Sequence, residues 1–504
     1  MTTDDHNPMV TLSPPSEFLA PCPKFRILVL GNPESTKQEL FSRIFGVDLE
    51  KKLVSDTFEP NHNINNELFL EGQNERLAIH ASPNFSSGDE NIYHTVCDFL
   101  TERSSSPNLA DHVHVIWYCV ASQQTREISS LEKKFFRGDW ITVAHAHHIP
   151  IILTFTKYDE FVSQVMMDWL RNSSGDSGLS KVAVGHILRD LSTKKFEKTI
   201  GSKWDSLLDK VIQRVCVSSG DSDDDLRSFE ALAEKTLASL RDHEVKVAFA
   251  AAQRNSAYIS TEYAAETAAE SYFETDTGHA RKIHGVDMRD ILPNFYAKAV
   301  QLFNMKDIPA TLDNSSLLSK VLDATFGTHQ KPLLAESLRR SGTESGSILL
   351  HLSPHERAVL LTQALAGIIL FLHMLADAQW PEGHEGPTSA TVTLTEKTIS
   401  RELEDLRLGG GKKDLLEIVE TSHIFTECQL KQDIAALLVK AVTQAEKTEL
   451  SKTAPNNYRH NKGFTRAVVV EDDSELQEIS LSFVNDHGPD DIVLPCGLTI
   501  LPLN

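Results

Sequence analysis

Cysteine is sparse and scattered in this sequence. Six cysteines (Cys22, Cys97, Cys119, Cys216, Cys428 and Cys496) are spread over 504 residues. They form no C-x-x-C pair and have no histidine at zinc-finger spacing. That pattern excludes a disulfide-stapled scaffold and points to reduced, mostly buried thiols in the cytosol. Positive charge is also short: 49 Lys and Arg against 71 Asp and Glu leave a formal charge of -22. Such a balance repels polyphosphate at long range and excludes a general nucleic-acid binder, while a local basic pocket stays compatible with it. Met1 to Lys24 lacks the basic start and apolar run of a signal peptide, carrying Asp4, Asp5 and several prolines instead. No export is expected, and the protein reads as cytoplasmic.

What is present is ordinary globular composition, with 40% hydrophobic and 24% charged residues, in a chain long enough for two or three domains. After a tail over 1–23, the first half alternates short β-type apolar runs with amphipathic stretches. This predicts an α/β fold with a mostly parallel sheet of about six strands. The runs are FRILVL (Phe25 to Leu30), ELFLE (Glu67 to Glu71), RLAIH (Arg76 to His80), HVHVIWYCV (His112 to Val120), IPIILTF (Ile149 to Phe155) and RVCVSS (Arg214 to Ser219). The second and third, four residues apart, predict an antiparallel hairpin. The chain between Phe161 and Gln213 exceeds one crossover and is expected to hold an insertion. Acids at Gly220 to Asp225 and the apolar spacing of Leu226, Phe229, Leu232, Ala233, Leu237 and Leu240 predict a helix that closes this domain near residue 243. A mainly helical region is expected over 244–455, and a β-rich tail over 462–504.

The first strand leads into Gly31-Asn32-Pro33-Glu34-Ser35-Thr36-Lys37-Gln38. Compared with G-x-x-x-x-G-K-[ST], this loop keeps Gly31 and Lys37. Thr36 stands where the second glycine lets backbone N–H groups converge on phosphates, Gln38 stands where a hydroxyl holds magnesium, and Glu34 adds negative charge to the cradle. At the end of the fifth run comes Thr156-Lys157-Tyr158-Asp159. A carboxylate there can accept from both N1–H and the exocyclic amine of guanine, and a lysine stem can cover the base; adenine offers no matching donor pair. Ser218 and Ser219, after the sixth run, sit where a loop would offer backbone N–H to the guanine oxygen.

With these segments in order, the chain resembles the G-domain branch of P-loop GTPases, specifically fungal G-domain proteins. The resemblance rests on FRILVLGNPESTKQELFSRIFGVD, ERLAIHASPNF followed by ENIYHTVCDFLTERS, HVHVIWYCV, IPIILTFTKYDE and LAEKTLASLRDHEVKVAFAAAQR. It covers roughly residues 24 to 255 and, more loosely, the helical remainder. It implies a βαβ nucleotide-binding fold over 24–243, with the insertion at about 161–213, and guanine as the base. The cofactor-binding residues it implies are Gly31, Lys37, Thr156, Lys157, Asp159, Ser218 and Ser219.

The departures matter as much. Such proteins carry H-D-S-x-G-F after the third strand, where Asp holds magnesium through water and the Gly N–H senses the γ-phosphate. This chain reads His80-Ala81-Ser82-Pro83-Asn84-Phe85. Pro60 to Leu70, the expected switch region, contains no Thr. Losing two charge-assisted contacts at about 1.5–3 kcal/mol each removes about 3–6 kcal/mol of nucleotide affinity. Magnesium is therefore not expected, GTP or GDP binding is expected to be weak, and hydrolysis little or none, since phosphoryl transfer depends on metal and positioned charge. The alternatives are a nucleotide-free interaction scaffold on the same fold and an active GTPase that recruits replacement groups.

Other motifs read as structure. Gly409-Gly410-Gly411-Lys412-Lys413 follows a helical pattern and reads as a solvated helix end. His145, His147 and His148 have no carboxylate in their segment and read as surface or interface residues, and a helix cap between His351 and His355 removes a zincin reading. Ala358 to Ala378 is long enough to span a bilayer, yet Thr362, Gln363 and His373 interrupt it and no Lys/Arg cluster flanks it. A buried or partner-binding helix is favoured over membrane attachment through 358–378, with the amphipathic stretch Asp414 to Ala445 expected to meet it. No catalytic constellation is assembled from local sequence, and the protein partner is unknown.

Overall fold

A computed structural model of the chain describes residues 18–31, 37–47, 63–68, 74–82, 89–123, 127–138, 148–172, 181–207, 212–220, 223–273, 288–304, 317–326, 354–379, 396–422 and 431–453. Strands β1 (Phe25–Gly31), β2 (Leu77–Ala81), β3 (Val115–Ala121), β4 (Ile151–Thr156) and β5 (Gln213–Cys216) form one sheet in the order β2-β1-β3-β4-β5. Every pairing is parallel, for example Val29↔Ala81, Gly31↔Cys119 and Ala121↔Thr156. Residues of β1 to β4 are buried throughout, which is why their sequences are continuous apolar runs rather than alternating ones.

The expected α/β class and parallel sheet are present. Of the six expected runs, five form the strands of this sheet. ELFLE contributes one antiparallel bridge, Leu68↔Ile79, and its last three residues lie outside the described residues. Glu67 is instead drawn to cations of the β1 entry: Lys24 Nζ donates to its Oε2 at 3.2 Å and Arg26 Nη1 to its Oε1 at 2.5 Å.

Alternate strand positions serve two cores. Phe25, Ile27, Val29, Val115, Trp117 and Cys119 face one side; Leu28, Leu30, Ile116, Tyr118, Val120 and Phe155 face the other. The second side is covered by α2 (Glu90–Ser104), α3 (Ser130–Arg137), α4 (Tyr158–Asn172) and the end of α5 (Lys181–Phe196). The last continues through a π-helical turn (Glu197–Gly201) into a short helix (Ser202–Asp205) that inserts Trp204. The helix starts are written in the sequence: the Asp89 side chain accepts from the Asn91 N–H before α2, and Ser129 and Glu132 form a reciprocal capping box before α3.

The first side is covered by α1 (Lys37–Phe45), α6 (Asp223–Ser239) and α7 (His243–Ala252), and its core continues without interruption into the helical region. There α8 (Ala257–Phe273), α9 (Met288–Leu302), α10 (Pro354–Gln379), α11 (Glu396–Leu408), α12 (Gly410–Glu420) and α13 (Lys431–Thr453) pack together. Helix α10 contains Val359–Ala376, a window of mean hydropathy 2.1 that is 89% buried within the protein. It packs on α8, α9, α11, α12 and α13, so the stretch from Asp414 to Ala445 does meet it. Gly367 lets α10 approach the helical segment 317–326: a Cβ there would lie 2.3 Å from Thr325 Oγ1.

The Gly409 to Lys413 segment is the junction of α11 and α12, where Lys412 Nζ caps Arg407 O at 2.6 Å. His148 receives a hydrogen bond on Nδ1 from Arg241 Nη1 at 2.8 Å. His145, His147 and the tail 462–504 lie outside the described residues.

Candidate nucleotide site

In an open parallel sheet, ligands enter the crevice at the carboxyl ends of the strands where strand order reverses. Here β2 lies on one side of β1 and β3 on the other, so the reversal falls between β1 and β3. Gly31 ends β1 at that point. Its φ of +105° is open mainly to glycine, and a Cβ would lie 2.0 Å from the Cys119 carbonyl oxygen of β3. The glycine assigned to a phosphate loop is thus already demanded by the β1–β3 contact. Lys37 is the first residue of α1; residues 32–36 and the Lys37 side chain lie outside the described set.

Two strands along, β4 ends at Thr156, which is fully buried. Its carbonyl accepts from Ser122 N–H at 2.8 Å, tying the β3 and β4 ends together. Lys157 then turns the chain with φ +56°, a left-handed conformation unusual outside glycine, asparagine and aspartate. Its Nζ lies 3.6 Å from Glu160 Oε1, and Glu160 Oε2 accepts from Gln123 Nε2. Asp159 sits in the first turn of α4, where the helix dipole favours a carboxylate. Its Oδ1 accepts from Ser219 N–H at 2.8 Å.

The structure therefore brings Asp159 and Ser219 together, with Thr156 and Lys157 beside them. Gly31 is two strand positions away, about 10 Å at the usual spacing. The Ser218 N–H is engaged elsewhere, donating to Ser228 Oγ at 3.0 Å. Both backbone donors expected to face a base oxygen are thus bonded within the protein. Ala81, at the end of β2 beside Val29, supplies no side-chain oxygen for a metal. Among the described residues, no cluster of three His, Cys, Asp or Glu side chains gathers in metal-holding geometry.

Sequence reasoning missed a buried polar network that runs from the amino ends of β1 and β3 across to His80 of β2. Arg26 is 5% exposed; its Nη1 donates to His80 Nε2 at 2.7 Å and its backbone N–H to His114 Nδ1 at 2.8 Å. His80 Nε2 therefore lacks a proton, and its Nδ1–H donates to Ile64 O at 2.8 Å. His114 carries its proton on Nε2, which donates to Leu109 O at 3.0 Å. Burial, beside the Arg26 charge, pushes both imidazoles down to about 4. Glu67 shows the opposite balance: burial alone would raise it, but Arg26 and Lys24 hold its carboxyl below the ordinary value.

Cys22 Sγ lies 3.6 Å from His114 Nε2. This is no catalytic pair, because that nitrogen is already protonated and burial pushes the thiol up to about 12. The adjoining cavity, lined by Phe18, Leu19, Cys22, His243 and Glu244, holds about 50 Å³ and is too small for a nucleotide. The signal for this network was the lone arginine in the apolar run FRILVL. No protein-family model matches the chain, and no curated protein matches it.

Proposed function

We propose that this chain is a GTPase-like, guanine-nucleotide-binding protein of the P-loop class, binding GTP or GDP weakly, hydrolysing little, and acting as a cytoplasmic switch or scaffold. The observation that carries this reading is the position of Asp159: a carboxylate at the carboxyl end of β4, two strands along from Gly31 at the strand-order reversal and joined to the loop after β5. A base held there would lie about 10 Å from the end of β1, a separation of the order that a nucleotide spans between base and phosphates. The bridge Leu68↔Ile79 supports an antiparallel sixth strand at the β2 edge. Ala81 and Gln38 argue against a magnesium shell, and so against catalysis.

A second reading, a nucleotide-free scaffold, is favoured by one specific observation: the Ser218 and Ser219 N–H groups are satisfied internally. Titration of fluorescent GDP, GTP and ATP with and without magnesium separates the two. Guanine-selective binding that survives EDTA supports the first reading, and no binding of any nucleotide supports the second.

A further inference from the structure

Helix α1 starts at the carboxyl edge of the sheet and ends in a buried polar junction. The last carbonyls of a helix have no partner within it, and here the protein supplies them from distant parts of the chain. Ile44 O accepts from Arg254 N–H at 2.7 Å, and Phe45 O accepts from Asn74 Nδ2 at 3.1 Å. Gly46 closes the helix with φ +60°, against the Arg254 side chain.

Asn74 is 1% exposed and its amide is fully used. The same Nδ2 donates to Ala252 O at the end of α7 (2.8 Å), while Oδ1 accepts from Asn304 Nδ2 just beyond α9 (3.1 Å) and from Arg76 N–H (3.3 Å). Arg254 Nε closes the ring by donating to Asn304 O at 3.2 Å. Asn304 itself holds φ +38°. One amide thus joins the ends of α1, α7 and α9 and the entry to β2. Apolar contacts can slide, but an amide with both hydrogens and its oxygen committed cannot follow a shift of α1 without releasing α7 or α9.

We propose that this junction couples the position of α1 to the helical region, so that filling the crevice at the strand ends alters the packing of α7 and α9. What moves α1 rests on the nucleotide reading; the coupling itself rests on Asn74, Arg254 and Asn304. Phe45 reinforces it, stacking on Trp117 with centroids 5.7 Å apart and meeting Phe249 of α7 edge-on at 6.3 Å.

Hydrogen exchange of the full chain tests this. Saturating GDP should slow exchange in 243–252 and 288–304 by about threefold or more. In Asn304→Gly, which tolerates the left-handed backbone and removes the amide, GDP should still bind and still protect 243–252, tied to α1 through Asn74 Nδ2, but the protection of 288–304 should drop sharply. Asn74→Ala, where it folds, should lower the protection of both segments. A ligand-free arm uses Glu39→Lys, which loosens the first turn of α1 by opposing its dipole: exchange in α7 and α9 should rise in the otherwise unaltered chain, and the rise in α9 should largely disappear on the Asn304→Gly background. Equal α9 responses with and without the Asn304 side chain in either arm overturn the coupling. Absence of GDP binding removes the nucleotide reading, and the Glu39→Lys arm then decides the coupling alone.

Discussion

Asp159 accepts a hydrogen bond from the backbone N–H of Ser219 at 2.8 Å, so one carboxylate joins the loops that follow β4 and β5. A charged acceptor on a half-buried N–H contributes about 1.5 kcal/mol or somewhat more. Asp159→Ala should therefore lower stability by about 1–2 kcal/mol, read as an earlier urea midpoint, besides abolishing guanine binding. An unchanged midpoint would mean that the carboxylate does not bridge the two loops.

Gly31 makes the opposite kind of prediction. Gly31→Ala places a methyl group 2.0 Å from the Cys119 carbonyl oxygen at a φ of +105°, so it should cost about 2–5 kcal/mol through overpacking and backbone strain. The loss should appear in nucleotide-free protein. If Gly31→Ala leaves stability intact and removes only nucleotide binding, the β1–β3 contact is not what requires glycine.

The two histidines bound to Arg26 set an acid limit. Both are buried neutral, with pKa values lowered from 6.5 to about 4. Between those values the unfolded chain binds more protons than the folded one, so stability is full above about pH 6.5 and falls as pH drops towards 4. The loss is on the order of 3 kcal/mol per histidine across that window. His80→Gln keeps a donor for Ile64 O and an acceptor for Arg26, and should flatten the slope measured by urea unfolding from pH 7 to 4.5. A slope equal to that of the unmutated protein would contradict the assigned protonation.

In the helical region, Gly367→Val should destabilise by about 2–4 kcal/mol, because its side chain would meet Thr325, already 2.3 Å from an added Cβ. Since Val359–Ala376 is covered by the protein's own helices, the intact chain should stay in the supernatant through a carbonate wash. Retention in the membrane pellet would mean that α10 leaves this packing.

Strands β1 to β4 were legible because burial on both faces leaves an apolar run, and α6 and α10 because an acidic or capped start and the apolar residues that follow mark them. ELFLE passed the same test, yet its described part, with Glu67 salt-linked to Lys24 and Arg26, forms only a bridge at Leu68. Asp159 was legible from four contiguous residues at a strand end; its partner Ser219 was legible only as a position. Contacts such as Arg26 with His80 and His114, or Asn74 with Asn304, join residues 54, 88 and 230 positions apart. No local pattern encodes them. Nor does periodicity reveal that one core runs from the sheet into the helical region.

The most direct test of guanine recognition exchanges the hydrogen-bonding sense of Asp159. Guanine presents two donors to a carboxylate, whereas xanthine presents a donor and an acceptor, which suits an amide. The unmutated protein should bind GDP at least about tenfold more tightly than ADP or xanthosine diphosphate, and Asp159→Asn should prefer xanthosine diphosphate to GDP. Equal affinities for GDP and ADP in the unmutated protein, or GDP affinity unchanged by Asp159→Asn, would contradict the account.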